Sequence, residues 1–243
     1  MRMTRSTRKF VIGLAMAVGS TLSIAATNST LEEAPAPTTG AGLARFVLPH
    51  ATRVQGIQVT ELSGLAWDDD EQLLYAVSDL GTIFHFRVEL DGDQIAAIEP
   101  VRASALGDLE AANRKKLNAE GLAIRNGANG QRGDTELLVA LESKPPRILR
   151  FHPDGSALHE HAVPEPAGDI EKYRKKGQGL EAVDASATHG IVTAPEAPLA
   201  SAAQDLHTLY AADGSQWSFP RHAPDSRLKG LNLLADGGAL VLE

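Results

Sequence analysis

Four stretches of this chain repeat one pattern: a small residue opening an apolar run, a turn, and a second apolar run closed by an acid. They begin at Leu62-Ser63-Gly64, Glu120-Gly121-Leu122, Leu180-Glu181-Ala182 and Lys229-Gly230-Leu231, and they close at Asp79, Glu142, Glu196 and Glu243. Aligning Gly64, Gly121, Ala182 and Gly230 gives steps of 57, 61 and 48 residues. A period of about 50 residues means a stacked or radial repeat, since one such unit cannot bury both of its faces alone. Two apolar strands per unit, with room for about two more in each gap, make the unit a propeller blade of four strands. The fold class expected is therefore all-β, a β-propeller with blades of roughly 50–60 residues.

Such a blade places the start of its first strand and the end of its antiparallel partner at the same mouth of the central channel. Glu120 and Glu142 share one end of the second unit, Glu181 and Glu196 the same end of the third. Asp79 and Glu243 are the corresponding acids of the first and fourth. In a radial array these acids ring one opening.

The first 25 residues carry Arg2, Arg5, Arg8 and Lys9, an apolar stretch from Phe10 to Val18, and Ser23-Ile24-Ala25-Ala26 with small residues at cleavage spacing. They read as a secretory signal peptide, which places the protein in the periplasm or outside the cell. Residues 26–43 lack periodicity and are punctuated by Pro and Gly, as in a flexible lead-in, and the propeller domain is expected over 44–243. The leader holds four of the 23 basic residues and none of the 31 acids, so the chain beyond it carries a net charge of −12. That charge argues against nucleic acid as a partner, because phosphate binding needs cations to displace counterions. With no cysteine there is neither a disulfide framework nor a lipoprotein anchor, and no second apolar run is long enough to span a bilayer.

Between the repeats, residues 44–59 contain apolar residues fit for one or two strands, read as an outer strand pairing with a distant blade. Asp68-Asp69-Asp70-Glu71 is a hairpin turn that lacks the glycine and terminal glutamate of an EF-hand and reads as solvated. Residues 82–90 alternate apolar and polar side chains, a third strand turning at Asp91-Gly92-Asp93 into a fourth. Basic residues gather before consecutive inner strands: Arg114, Lys115 and Lys116, then Lys172, Arg174, Lys175 and Lys176, then Arg221, Arg227 and Lys229. On the rim above a ring of acids they could receive an anionic group. Lys115, Lys116, Arg174 and Lys175 are the candidate substrate-binding residues.

At these residues the chain resembles the phytase-like family, described as having esterase-like activity of phytase. The resemblance is carried by Leu62-Ser63-Gly64-Leu65 with Ala76-Val77-Ser78-Asp79, Glu120-Gly121-Leu122 with Leu141-Glu142-Ser143, and Pro146 to Phe151. It continues through Gly179-Leu180-Glu181-Ala182, Glu196-Ala197-Pro198-Leu199 and Leu240 to Glu243. It implies a secreted, calcium-dependent hydrolase of phosphate or other esters. Ala182 departs from the glycine of the pattern, and Ser63 stands where later repeats carry glutamate. Four inner hairpins cannot close a six-bladed ring, so the expectation is a C-terminally truncated, open propeller that a partner chain could complete.

Glu120 and Glu181 are the candidate catalytic residues, with Asp79, Glu142 and Glu196 as candidate ligands of a Ca2+ ion, which takes several oxygens at one point. Other hydrolase chemistries lack their patterns. No GxSxG elbow occurs beyond the leader, His159-Glu160-His161 lacks zinc spacing, and the glycines from 127 to 133 are not followed by a P-loop lysine. The competing function class is a propeller that binds a ligand or protein without turnover, because a fold alone fixes no chemistry.

Overall fold

The computed structural model describes residues 21–22 by their backbone and residues 46–92, 94–107, 117–174 and 178–243 in full. The expected leader, apart from the backbone of Thr21–Leu22, and the expected lead-in both lie outside the described residues.

Seventeen strands are present among the described residues. They are β1 (Thr21–Leu22), β2 (Arg53–Val54), β3 (Ile57–Gln58), β4 (Leu62–Asp68), β5 (Leu73–Ser78), β6 (Thr82–Asp91), β7 (Gln94–Ala105), β8 (Ala119–Arg125) and β9 (Glu136–Leu141). There follow β10 (Arg147–Phe151), β11 (Ala157–His161), β12 (Leu180–Ser186), β13 (Gly190–Pro195), β14 (Leu206–Ala211), β15 (Gln216–Pro220), β16 (Gly230–Leu233) and β17 (Ala239–Leu242). Strands β4 to β7, β8 to β11 and β12 to β15 each form a four-stranded antiparallel sheet in chain order, and β16 pairs with β17, which also pairs with β1. These are three complete blades and the inner hairpin of a fourth. The chain has a β-propeller architecture, and no closed barrel is formed by the described strands.

The second strand of each blade explains the stacking. Strands β5, β9 and β13 are buried at all but their first residue, which is why they read as continuous apolar runs instead of alternating ones. Successive side chains still point to opposite faces. Tyr75 and Val77 of β5 join Leu137, Val139 and Leu141 of β9 in one core, while Leu138 and Ala140 of β9 join Leu180, Val183 and Ile191 of the third blade in the next. Val192 and Ala194 then face Leu228, Leu231 and Ala239 of the fourth. Each blade thus gives one set of alternate residues to each neighbour, and a shift of one residue in register would exchange the two sets.

Two expectations change here. Residues 53–58 do not pair with a distant blade. They form the small hairpin β2–β3, which lies on the first blade, where Val54 packs with Phe84 and Phe86 and Gln55 Oε1 accepts a hydrogen bond from Ala103 N at 3.0 Å.

The acidic turn after β4 is solvated only in part, with Asp69 exposed and Asp70 and Glu71 half-buried. Asp68 is fully buried and accepts hydrogen bonds from Thr135 Oγ1 at 2.6 Å, Glu71 N at 2.9 Å and Asp70 N at 3.0 Å. Asp70 Oδ2 accepts from Asn129 N at 2.8 Å, and Glu71 Oε1 accepts from Gly133 N at 2.7 Å. The loop between β8 and β9 grips the turn with its backbone amides and locks the second blade to the first.

Candidate functional site

The inner strands β4, β8 and β12 share an irregularity at one aligned place. Leu62 pairs with Ser78 and Gly64 with Val77, so Ser63 is the extra residue of a bulge. Glu120 is skipped in the same way between Ala119 and Gly121, and Glu181 between Leu180 and Ala182. A bulge leaves one residue out of the ladder and re-aims its side chain. The small residue that follows serves another need. A Cβ on Gly121 would stand 2.8 Å from Glu181 O and 2.9 Å from Ala182 Cα, and one on Gly64 would stand 2.6 Å from Leu122 N. Inner strands of successive blades therefore approach backbone to backbone, and this packs the bulge residues of neighbouring blades toward one another.

The acids that close the second strands are held by a repeated bond. Asp79 N donates to Glu61 O at 3.1 Å, Glu142 N to Asn118 O at 2.8 Å and Glu196 N to Gly179 O at 3.0 Å. The side chains of Glu142 and Glu196 reach toward the following blade. Glu142 Oε1 accepts from Gly179 N of the third blade at 3.0 Å, and its Oε2 accepts from Asn118 Nδ2 at 2.6 Å. Glu196 Oε1 accepts from Lys229 Nζ at 2.6 Å and its Oε2 from Arg227 Nη1 at 2.9 Å, both at the start of the fourth blade. Lys229 Nζ also donates to Glu181 Oε1 at 2.7 Å.

Burial and mutual repulsion set the electrostatics. Glu120 is pushed up to about 8, first by loss of water and then by the charges of Glu181, Glu142 and Asp79, with Lys229 pulling the other way. Glu181, 7% exposed, is pushed up to about 7 by burial, against the hydrogen bond and charge of Lys229. Lys229 is itself held above the usual lysine range by its bonds to Glu181 and Glu196, which outweigh its own burial. Near neutral pH the cluster therefore holds a proton on Glu120 and stands close to half-titration at Glu181.

Of the six acids expected around one opening, Asp79, Glu120, Glu142, Glu181 and Glu196 are electrostatically coupled. Glu243 does not join them. It accepts hydrogen bonds from Ser226 Oγ at 2.6 Å and His222 N at 2.8 Å, and lies 3.7 Å from the buried His207. Of the expected anion-binding residues, Lys115, Lys116 and Lys175 lie outside the described residues, and Arg174 is exposed and bonded to Gln204 Oε1. The cations that meet the acids are Lys229 and Arg227, which had stood only among the basic clusters. The signal for Lys229 was present in the alignment, because it occupies the place of Ser63, Glu120 and Glu181 in the fourth repeat.

The donor set does not fit the calcium that the resemblance implies. Glu142 is committed to Asn118 and Gly179, and Glu181 and Glu196 share an ammonium. Among the described residues no group of three or more His, Asp or Glu side chains is placed to hold a metal ion. No helix among them is long and apolar enough to cross a membrane.

No curated protein matches the chain. Among solved structures, it is similar to a protein of unknown function from Bacteroides caccae, with 13% identity and a TM-score of 0.41 over 74% of this chain and 52% of that one. It is similar as well to a gluconolactonase from Xanthomonas campestris, with 19% identity and a TM-score of 0.39 over 74% and 53%. A virginiamycin B lyase from Staphylococcus aureus matches at 12% identity and a TM-score of 0.34 over 76% and 49%. The chain spans about half the length of these proteins. The phytase-like family, described as esterase-like activity of phytase, matches over residues 57–243, from the outer hairpin through every blade described above, and the chain belongs to that family.

Proposed function

We propose that the chain is an exported hydrolase of phosphate or other esters, with its reaction at the acid cluster on the channel mouth. The observation that carries the proposal is the pair Glu120 and Glu181, two carboxyl groups on equivalent bulges that hold their protons to about pH 8 and about pH 7. Two coupled carboxyls that both titrate near neutrality suit acid and base roles. Glu120, protonated at neutrality, donates its proton to the leaving oxygen of the ester. Glu181, once ionised, takes a proton from the attacking water. The ammonium of Lys229 holds the Glu181 carboxylate in place at 2.7 Å and supplies positive charge beside an anionic substrate.

Calcium as a cofactor is the second reading, favoured by the repulsion that Glu181, Glu142 and Asp79 exert on Glu120. It requires Glu181 or Glu196 to release Lys229. Hydrolysis of nitrophenyl phosphate and nitrophenyl acetate, each with calcium and with a chelator, tests both readings. Metal-independent turnover that peaks between pH 7 and 8 and is lost in Glu120→Gln supports the first. Turnover that vanishes on chelation supports the second. Ligand binding at the cluster with no turnover of either ester leaves a non-catalytic propeller.

A further inference from the structure

The acid cluster contains its own cation. Three inner strands set Ser63, Glu120 and Glu181 at equivalent bulges, and the fourth sets Lys229 at the matching place, directly before Gly230. Its Nζ lies 2.7 Å from Glu181 Oε1 and 2.6 Å from Glu196 Oε1, and those two side chains belong to residues only 7% and 6% exposed. Arg227 Nη1 meets the other oxygen of Glu196 at 2.9 Å. The two buried carboxyl groups thereby already have two cationic partners. Calcium binds carboxylate oxygens at about 2.3–2.6 Å, close to the distances the ammonium already keeps, so ion and lysine compete for one space. An ion entering here would have to displace the ammonium from the two oxygens it already holds.

We infer that Lys229 is a built-in counter-ion that fills the cation position between Glu181 and Glu196, making this cluster metal-free in the native chain and open to a divalent cation only when the lysine is removed. The inference rests on the proposed site, but its test reads binding and stability instead of turnover, so either can fail without the other.

The test is thermal unfolding of the full chain in chelator and in millimolar calcium, for the native protein, for Lys229→Gln and for Lys229→Gln combined with Glu181→Gln. The native protein is expected to melt at the same temperature in both buffers. Lys229→Gln, left with two buried carboxylates and one cation fewer, should melt several degrees lower in chelator and regain most of the loss in calcium. The double variant should lose the calcium response.

A native protein whose melting temperature rises with calcium, with the rise absent in Glu181→Gln, would overturn the inference. So would a destabilised Lys229→Gln that calcium does not restore. If Lys229→Gln fails to fold, calorimetric titration of the native protein decides. Calcium heat that disappears in Glu181→Gln overturns the inference, and no such heat supports it.

Discussion

The molecule carries two groups of acids on neighbouring blades, and they have opposite fates. At the turn after β4, Asp68, Asp70 and Glu71 are met by donors from their own turn and from the loop before β9, chiefly backbone amides. In the second group Glu120, Glu142, Glu181, Glu196 and Asp79 are coupled to one another, and while Glu142 is met by Asn118 and the Gly179 amide, Glu181 and Glu196 are met by the cationic side chains Lys229 and Arg227. A carboxylate surrounded by fixed amides is a structural fastening, because each donor would be stranded without it. A carboxyl kept in company with like charge holds or releases a proton near neutrality, which is what acid and base chemistry needs.

The sharpest way to break this comparison is to neutralise one acid of each group. Glu120→Gln should lower kcat on a nitrophenyl ester by about 10²- to 10³-fold with an unchanged circular dichroism spectrum. An active variant would remove the chemical role from the channel group. Asp68→Ala should do the reverse. Loss of a buried acceptor for Thr135 and two amides should cost about 3 kcal/mol in urea unfolding, with activity per folded molecule unchanged.

Gly121→Ala probes the close approach that brings the channel acids together. The added methyl would meet the Glu181 backbone, and a loss of about 2 kcal/mol is expected, with a further fall in activity that Asp68→Ala does not produce.

A smaller effect separates the groups by pH. Glu120 holds its proton to about pH 8 in the folded chain against 4.5 ordinarily, so the folded state binds more protons than the unfolded state between those values. The stability it contributes is full below about pH 4.5 and is lost as the pH rises through 8. The melting temperature should therefore fall by several degrees between pH 5 and pH 9, and Glu120→Gln should flatten that slope.

The blades were legible in the sequence because strands covered on both faces must be continuously apolar. Leu73 to Ser78, Glu136 to Leu141 and Gly190 to Pro195 carry that signature at a regular spacing. Antiparallel pairing puts Glu120 with Glu142 and Glu181 with Glu196 at one end of their blades, and the coupling between blades needs the radial stacking as well. The fastening of the acidic turn is not legible, because its remote partners, Asn129, Gly133 and Thr135, come from about 60 residues later and no local pattern announces them. Glu243 was placed in the ring by its position, yet His222 and Ser226 claim it from the preceding connection. Lys229 reads in the sequence only as one of the rim bases, because the backbone at its place dictates a location and leaves the sign of the charge open.

That last freedom follows from a place outside the ladder, a bulge in the first three blades and the position just before Gly230 in the fourth. A residue outside the ladder is exempt from the alternation that assigns its neighbours to one core or the other, so its identity can change while the packing on either side stays as it is. Hydroxyl, carboxylate and ammonium occupy the matching seats of four successive blades. The charge around the opening can thus be rewritten one seat at a time, each blade acting as an independent letter in the chemistry of the whole.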